Sequence, residues 1–419
     1  SPAICRLVDK SVILFDGQHK SAAQIWAGRK QIECKVYIDP DEKVLKEMLP
    51  YFTKHYGNAS SAHSFGYEAH QALDKARKVI AKSINADFEE IVFTSGGTES
   101  NNAIIKGIAF ANKDKGNHII TSKVEHKCIV KACEWLETQG FKITYLDVDE
   151  EGFVNPEDLE KAITDKTILF SVIHANNEVG TIQDLEALGK VCKKHKVYFH
   201  SDACQSYTKV EIDVNKQNLD LLTINSHKIN GPKGVGAMYV KQGTKITPLL
   251  HGGEHEFKKR AGTENIPGII GFASALKHGP TKKEIEKMSE LRDKLIEGII
   301  KIEATKLNGP KGEKRLCNNV NISFAGIEGE AIGGYLDQKF ICSSTGSACS
   351  EALLEPSHVL MAIGLSHEAA NGSLRLTLSK YTTEEDINKT LETIPKVVKK
   401  LRKISPFGKV MDYVFRKNN

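Results

Sequence analysis

From about Ser64 to Val240 the chain alternates helix-period segments with short β-rich runs, a pattern that points to a largely parallel sheet covered by helices. Ala69, Leu73, Ala76 and Ile80 share one face of a helix, and Ile129, Cys133 and Leu136 share another. The strand-like runs are Ile91-Val92-Phe93, His118-Ile119-Ile120, Lys142–Leu146, Ile168–Ile173, Val197–His200, Leu221–Asn225 and Gly236–Val240. Several close on polar clusters: Thr94 to Asn102, Glu125-His126-Lys127, Asn176 to Gly180, Asp202 to Gln205, and Ser226-His227-Lys228. In open α/β sheets ligands gather beyond the carboxyl ends of the strands, so the site is expected along that edge.

Beyond an apolar crossover from Pro267 to Pro280, a charged helical stretch, Lys283–Lys301, opens a second region. It holds Val320–Phe324, a cysteine-bearing loop, Leu374–Leu378 and an amphipathic helix from about Thr383 to Arg402, and reads as a smaller α+β domain. The expected division is residues 1–45 as an N-terminal arm of unassigned role, 46–278 as the large domain and 279–419 as the small one. A length of 419 residues and 40% hydrophobic content suit such an arrangement.

Composition narrows the function. The net charge is only +5 and the lysines are scattered, which argues against nucleic-acid binding. Charges interrupt every apolar run well before about 18 residues, so no membrane span is expected. Nine widely spaced cysteines without a C-x-x-C pair suit free thiols in a reducing compartment, and no metal site is expected from that spacing. The stretch before Lys35 has no clean apolar core, and Asp9, Asp16 and Glu33 weaken a transit-peptide reading.

Lys228 directly follows a strand and precedes the turn Gly231-Pro232-Lys233-Gly234, while Asp202 ends the preceding strand. That pair suits pyridoxal phosphate: the lysine makes the Schiff base, and the acid keeps the pyridine nitrogen protonated so that the ring acts as an electron sink. Gly96-Gly97-Thr98 joins a strand to a helix, so the Gly97 and Thr98 N–H groups and the Thr98 hydroxyl suit a phosphate. Singly, each has an ordinary reading, as a turn lysine, a capping acid or a glycine turn. Their common placement at strand ends makes the chemical reading.

With Arg260-Ala261-Gly262-Thr263-Glu264-Asn265 and Ser347-Ala348-Cys349 following these clusters in order, the chain from about Val36 to Pro406 resembles the cysteine desulfurases of the NifS/IscS type. The resemblance implies a pyridoxal phosphate fold-type-I homodimer that takes sulfur from L-cysteine and leaves alanine and an enzyme persulfide. The sulfur would pass to an iron-sulfur scaffold or another acceptor protein, or to tRNA thiolation, in the cytoplasm or in a mitochondrial matrix. It further implies that His227 is a second phosphate ligand. Asn225 stands where many relatives have a phosphate-binding serine, with Ser226 beside it. His126 would stack on the ring and assist proton transfer. Asn177 would donate to the phenolic oxygen beside the substrate, and Asp202 and Gln205 would contact the ring. Thr263 would reach the phosphate of the opposite subunit, and Arg375 would clamp the substrate carboxylate through its planar fork. Cys349 would be the sulfur acceptor, whereas Cys342 is expected to be a small buried apolar residue.

One stretch departs from the family. Relatives usually read Val-Tyr-Leu-Asp-Asn-Asn-Ala-Thr-Thr-Pro, whereas here Val36-Tyr37-Ile38-Asp39 runs directly into Pro40-Asp41-Glu42. The missing residues normally line the entrance to the site. Competing expectations are a selenocysteine lyase or another class-V enzyme, which would share Lys228 and Asp202, and a catalytically weak partner in a sulfur-transfer assembly.

Overall fold

In the computed structural model the backbone is described for residues 5–8 and 11–14, and the chain in full for residues 41–345 and 356–405. Strands β1 (Cys5–Val8) and β2 (Ser11–Leu14) form an antiparallel pair. The chain divides into two units, one of Pro40–Thr281 with Glu313–Leu316, the other of the remainder.

The first unit is built on β3 (Ile91–Thr94), β4 (His118–Ser122), β5 (Lys142–Leu146), β6 (Thr167–Ile173), β7 (Tyr198–Asp202), β8 (Leu221–Asn225) and β9 (Gly236–Val240). Their order across the sheet is β3-β9-β8-β7-β6-β4-β5. Pairs from β8 to β5 are parallel, and β9 runs antiparallel to both of its neighbours. The connection from Asn225 to Gly236 is too short for a helical crossover, so β9 must turn back on β8.

Side chains alternate between two cores because the strand period is two. Ile91 and Phe93 enter one core and Val92 the other, and Ala237 and Tyr239 oppose Met238 and Val240 in the same way. Helix Ser64–Ser83 covers the first core with Ala69, Leu73, Ala76 and Ile80; Gly97–Ala111 and Lys127–Thr138 cover the second. The apolar stretch expected as a crossover is a helix, Ile266–Lys277, capped by the Asn265 side chain and started by a proline. It packs against helices Ser64–Ser83 and Glu42–Met48, and a Cβ at Gly271 would lie 2.5 Å from Met48 Sδ.

The short return at Glu313–Leu316 braces the site loop. Ile182 donates to the Lys314 carbonyl at 3.0 Å, and Leu316 donates to the Gly180 carbonyl at 2.8 Å, while Arg315 is fully buried.

The second unit carries an antiparallel sheet of β10 (Thr305–Leu307), β11 (Asn319–Phe324) and β12 (Ser373–Thr377). Helices Lys282–Ile299, Gly329–Asp337 and Glu384–Ile404 bury their apolar faces in its core. Arg402 donates to the carbonyls of Ala325, Glu303 and Ala304 at 3.2, 2.8 and 3.0 Å, tying the last helix to two turns. Cys342 is exposed, which corrects the expectation of a buried apolar residue: residues 341–343 lie outside any strand, so no sheet face covers the thiol. No helix among the described residues is long and apolar enough to cross a membrane.

Candidate active site

Strands β7 and β8 run side by side, with Asp202 opposite Thr223, and their carboxyl ends carry the acid and the lysine. Beyond β8 the chain makes a short 3-10 turn, His227–Ile229, ended by Asn230 in the left-handed region at φ 62°. Asn225 Oδ1 accepts from the Lys228 N–H at 3.3 Å, so the strand end fixes the backbone of the lysine. Lys228 is exposed, whereas Asp202 is only 3% exposed. Asp202 Oδ1 accepts from the Cys204 N–H at 2.9 Å and Oδ2 from Asn101 Nδ2 at 2.7 Å.

Next to this pair lies the start of helix Gly97–Ala111. Gly96 adopts φ 149°, a conformation that requires glycine and turns the chain sharply from β3 into the helix. A Cβ on Gly97 would lie 2.7 Å from Cys204 Sγ and 3.3 Å from Asn225 Nδ2, so the bare backbone at this helix start reaches the ends of β7 and β8. Glu99 accepts from the Ser95 N–H at 2.8 Å and from Arg260 Nε at 2.9 Å. Burial raises the Glu99 carboxyl, but the Arg260 guanidinium and the Ser95 donors outweigh it and hold it below its usual value. Through this ion pair the loop carrying the exposed Thr263 is tethered at the helix start.

Two further loops bring His126 and Asn177 to the same edge. His126 caps helix Lys127–Thr138, its Nδ1 accepting from the Cys128 N–H at 3.2 Å. Asn176 Nδ2 donates to the Val124 carbonyl at 2.8 Å, and Asn176 Oδ1 accepts from Glu178 and Val179, which joins the loop after β4 to the loop after β6. Glu125 reinforces that joint, its Oε1 accepting from Ser122 Oγ at 2.5 Å and from the Ile173 N–H at 3.0 Å.

Burial pushes the Glu125 carboxyl up to about 8, and the Asp202 charge adds to the rise against the Ser122 and Ile173 donors. The folded chain therefore keeps a proton that the unfolded chain releases above its ordinary value of 4.5. More protons on the folded state mean that this group's contribution falls as pH rises from 4.5 towards 8. Glu125→Gln keeps an acceptor oxygen and removes the ionisation. The variant is expected to gain stability relative to the parent at about pH 8 and to lose that gain near about pH 4.5. Denaturant unfolding of both proteins across that window checks this; a constant difference between them would refute it.

The residues present fit pyridoxal phosphate. Asp202 is a buried carboxylate whose hydrogen bonds come from neutral donors only, with no cationic partner among the described residues, which suits a pyridinium nitrogen. Ser226 Oγ is buried with no hydrogen-bond partner among the described residues. Burial, and then the Lys228 and Lys233 charges, push His227 down to about 4, so it is a neutral imidazole with one N–H to donate. The structure thus gathers Gly97, Thr98, His126, Asn177, Asp202, Gln205, Asn225, Ser226, His227 and Lys228 at or just beyond the carboxyl ends of β3, β4, β6, β7 and β8, with Asp202 and Asn225 closing their strands and Gly97 and Thr98 opening a helix. Arg375 lies on β12 of the second unit, opposite Asn321, and Cys349 lies outside the described residues. Asn101, Glu125, Glu99 and Arg260 stand within the polar clusters and the Arg260–Asn265 motif of the sequence, but their contacts with Asp202, with Ser122 and Ile173, and with each other were not legible there.

Fold and site together define a pyridoxal phosphate enzyme, and the chain belongs to the class-V aminotransferase family, whose model matches residues 40–390. Within that family it belongs with the cysteine desulfurases: it is 53% identical over 385 residues to cysteine desulfurase IscS of Clostridium botulinum, covering 91% of this chain and 96% of that one. A solved structure described as a NifS-like protein superposes with a TM-score of 0.81 at 36% identity, covering 86% of this chain and 96% of that chain. Another, described as SspA in complex with cysteine, gives a TM-score of 0.73 at 37% identity over 82% of this chain and 96% of that chain.

Proposed function

We propose that this chain removes sulfur from L-cysteine, releases alanine, and holds the sulfur as a persulfide on Cys349 for transfer to an acceptor protein of iron-sulfur cluster assembly or tRNA thiolation. The observation that carries the sulfur-transfer reading is in the second unit. Ser344 and Arg375 exchange both main-chain hydrogen bonds, at 3.0 and 2.6 Å, so the segment holding Cys349 starts on the strand that holds the arginine.

When bound, pyridoxal phosphate supplies the sink for the electron pair left on the substrate α-carbon. Gly97, Thr98, Ser226 and His227 would hold its phosphate, with Asn225 setting the turn that follows, and Lys228 would hold its carbonyl carbon. Asp202 keeps the ring nitrogen protonated, with Gln205 beside the ring, and Asn177 donates to the phenolic oxygen near the substrate. Arg375 takes the substrate carboxylate in a bidentate contact. Lys228 would take the α-proton of the substrate, and His126 would assist proton movement. The Cys349 thiolate attacks the substrate sulfur: an S–S bond forms, the carbon–sulfur bond breaks, and its electron pair stays with the carbon frame, which takes up protons and leaves as alanine.

Thr263, exposed on its tethered loop, completes the phosphate site of a second copy in a homodimer. The large domain, 46–278, binds the cofactor, and the small one, 279–419, carries the sulfur acceptor; the free thiols suit a reducing compartment such as cytosol or mitochondrial matrix.

Mass spectrometry of the protein after L-cysteine addition tests the reading. An added sulfur is expected on the Cys349 peptide. Cys349→Ser is expected to bind the cofactor as the parent does, to form no persulfide, and to release alanine about 100-fold or more slowly, because a hydroxyl is a poor nucleophile towards sulfur. Extra sulfur on another cysteine, or unchanged alanine release, would remove Cys349 from this role and bring forward a selenocysteine lyase or another class-V reaction.

A further inference from the structure

Between Asp202 and His126 lies a continuous chain of polar atoms that the reaction as described does not use. Asn101 is only 1% exposed, on the helix that starts at Gly97. Its Nδ2 lies 2.7 Å from Asp202 Oδ2 and 3.2 Å from Cys128 Sγ, so the two hydrogens of one amide serve two partners. Cys128 Sγ in turn lies 3.0 Å from His126 Nδ1, the nitrogen that the Cys128 N–H also approaches at 3.2 Å.

The direction of every hydrogen in this chain follows from its ends. An ionised Asp202 only accepts, so Asn101 must present its NH2 group there, and the reversed amide would set oxygen against oxygen. The second amide hydrogen then points at Cys128 Sγ, which accepts it. Burial, with the Asp202 charge behind it, pushes the Cys128 thiol up to about 12 against the pull of its hydrogen bonds with Asn101 and Thr98, so Sγ keeps its own hydrogen, and His126 Nδ1, 3.0 Å away, is a nitrogen acceptor for it. His126 Nδ1 therefore faces two donors, one from sulfur and one from the backbone. A neutral imidazole whose Nδ1 accepts carries its hydrogen on Nε2. Nε2 has no hydrogen-bond partner among the described residues.

We propose that Asn101 and Cys128 are positioning residues that couple Asp202 to His126 and set His126 in the tautomer with its hydrogen on Nε2. The helix N-terminus alone supplies one donor to Nδ1; the thiol supplies the second, and with it a link to the acid that holds the ring nitrogen. His126 thus enters the reaction as an N–H donor at Nε2, while the helix holding Asn101 aims Asp202. The kinetic part rests on the desulfurase reading above, and the tautomer does not.

The test uses cofactor-loaded protein labelled with 15N-histidine, with His126→Gln locating the His126 signals. The parent is expected to show a protonated Nε2 and an unprotonated Nδ1 before substrate is added. In Cys128→Ala those shifts are expected to move towards the average of two tautomers, while kcat for alanine release falls about tenfold and KM changes less than about twofold. Cys128→Ser, whose hydroxyl can accept and donate in the same places, is expected to restore the single tautomer and most of kcat. Asn101→Ala combined with Cys128→Ala is expected to lose less than the product of the single losses, because both interrupt one chain. A hydrogen found on Nδ1 in the parent would overturn the inference, as would unchanged shifts and kcat in Cys128→Ala, or multiplicative losses in the double variant. A parent with the expected tautomer but no alanine release would instead refute the proposed function alone.

Discussion

Lys228→Ala is expected to lose covalent attachment of pyridoxal phosphate and to lower alanine release by about ten-thousandfold, the range for removing a positioned acid–base group. The size follows from the two roles proposed for this one amine, which would hold the cofactor carbon between turnovers and take the α-proton during them. The fold is expected to survive. Lys228 is exposed, and its contact with Asn225 Oδ1 runs through the backbone N–H, which alanine keeps. The phosphate cup proposed at Gly97, Thr98, Ser226 and His227 also remains, so the variant should still take up the cofactor, but weakly and reversibly. Borohydride reduction followed by intact-mass measurement separates the two states: the parent retains the cofactor mass and the variant does not. A variant that kept the mass on another lysine, or kept activity within about tenfold of the parent, would remove Lys228 from the centre of the chemistry.

Glu256→Ala is expected to cost about 3–5 kcal/mol of stability, the usual loss on breaking one side of a buried ion pair. Both Glu256 oxygens accept from Arg77 at 2.7 Å, and Oε2 also accepts from the Phe93 N–H at 2.7 Å. Arg77 donates in addition to the Ile91 carbonyl at 2.6 Å. Because β3 is the outermost strand beside β9, the pair occupies main-chain groups that would otherwise be open at a sheet edge. The guanidinium is also enclosed by Phe88, Phe93 and Phe257, with ring centroids 5.6, 4.8 and 5.0 Å away. Glu256, Phe257 and Lys258 all sit at positive φ, 47°, 56° and 64°, a strained turn that the carboxylate contacts hold in place. Removing the carboxylate strands a buried cation, frees an edge N–H and releases the turn together. Denaturant unfolding measures the loss, and a value below about 1 kcal/mol would show that the edge is held by other means. Since β3 leads directly into Ser95-Gly96-Gly97, weaker cofactor retention should accompany the instability.

Much of this protein lies in short-range pattern. Short continuous apolar runs marked the inner strands, which are buried on both faces, and spacing of three to four marked the helix Ser64–Ser83, because both patterns depend only on local neighbours. Asp202, Lys228 and Gly96-Gly97-Thr98 were legible for the same reason: each lies at or within a few residues of a strand end, and strand ends of a helix-covered sheet lie on one edge wherever the strands fall within it. Strand order was not legible, nor was the reversal of β9, whose cause is the short connection from Asn225 to Gly236 rather than any residue within the strand.

Tertiary structure alone decided the groups that hold the site in place. Asn101 meets Asp202 across 101 residues, Glu99 meets Arg260 across 161, and Arg77 meets Glu256 across 179. No periodicity encodes such pairs, since an asparagine or a glutamate near a helix start reads first as a cap. Their partners are chosen when packed faces bring distant backbone within hydrogen-bond reach and burial makes an unpaired polar group costly. By itself the sequence therefore determined which chemistry stands at the sheet edge, through residue type and local period. The three-dimensional fold decided how that chemistry is oriented, because orientation depends on contacts between segments far apart in the chain.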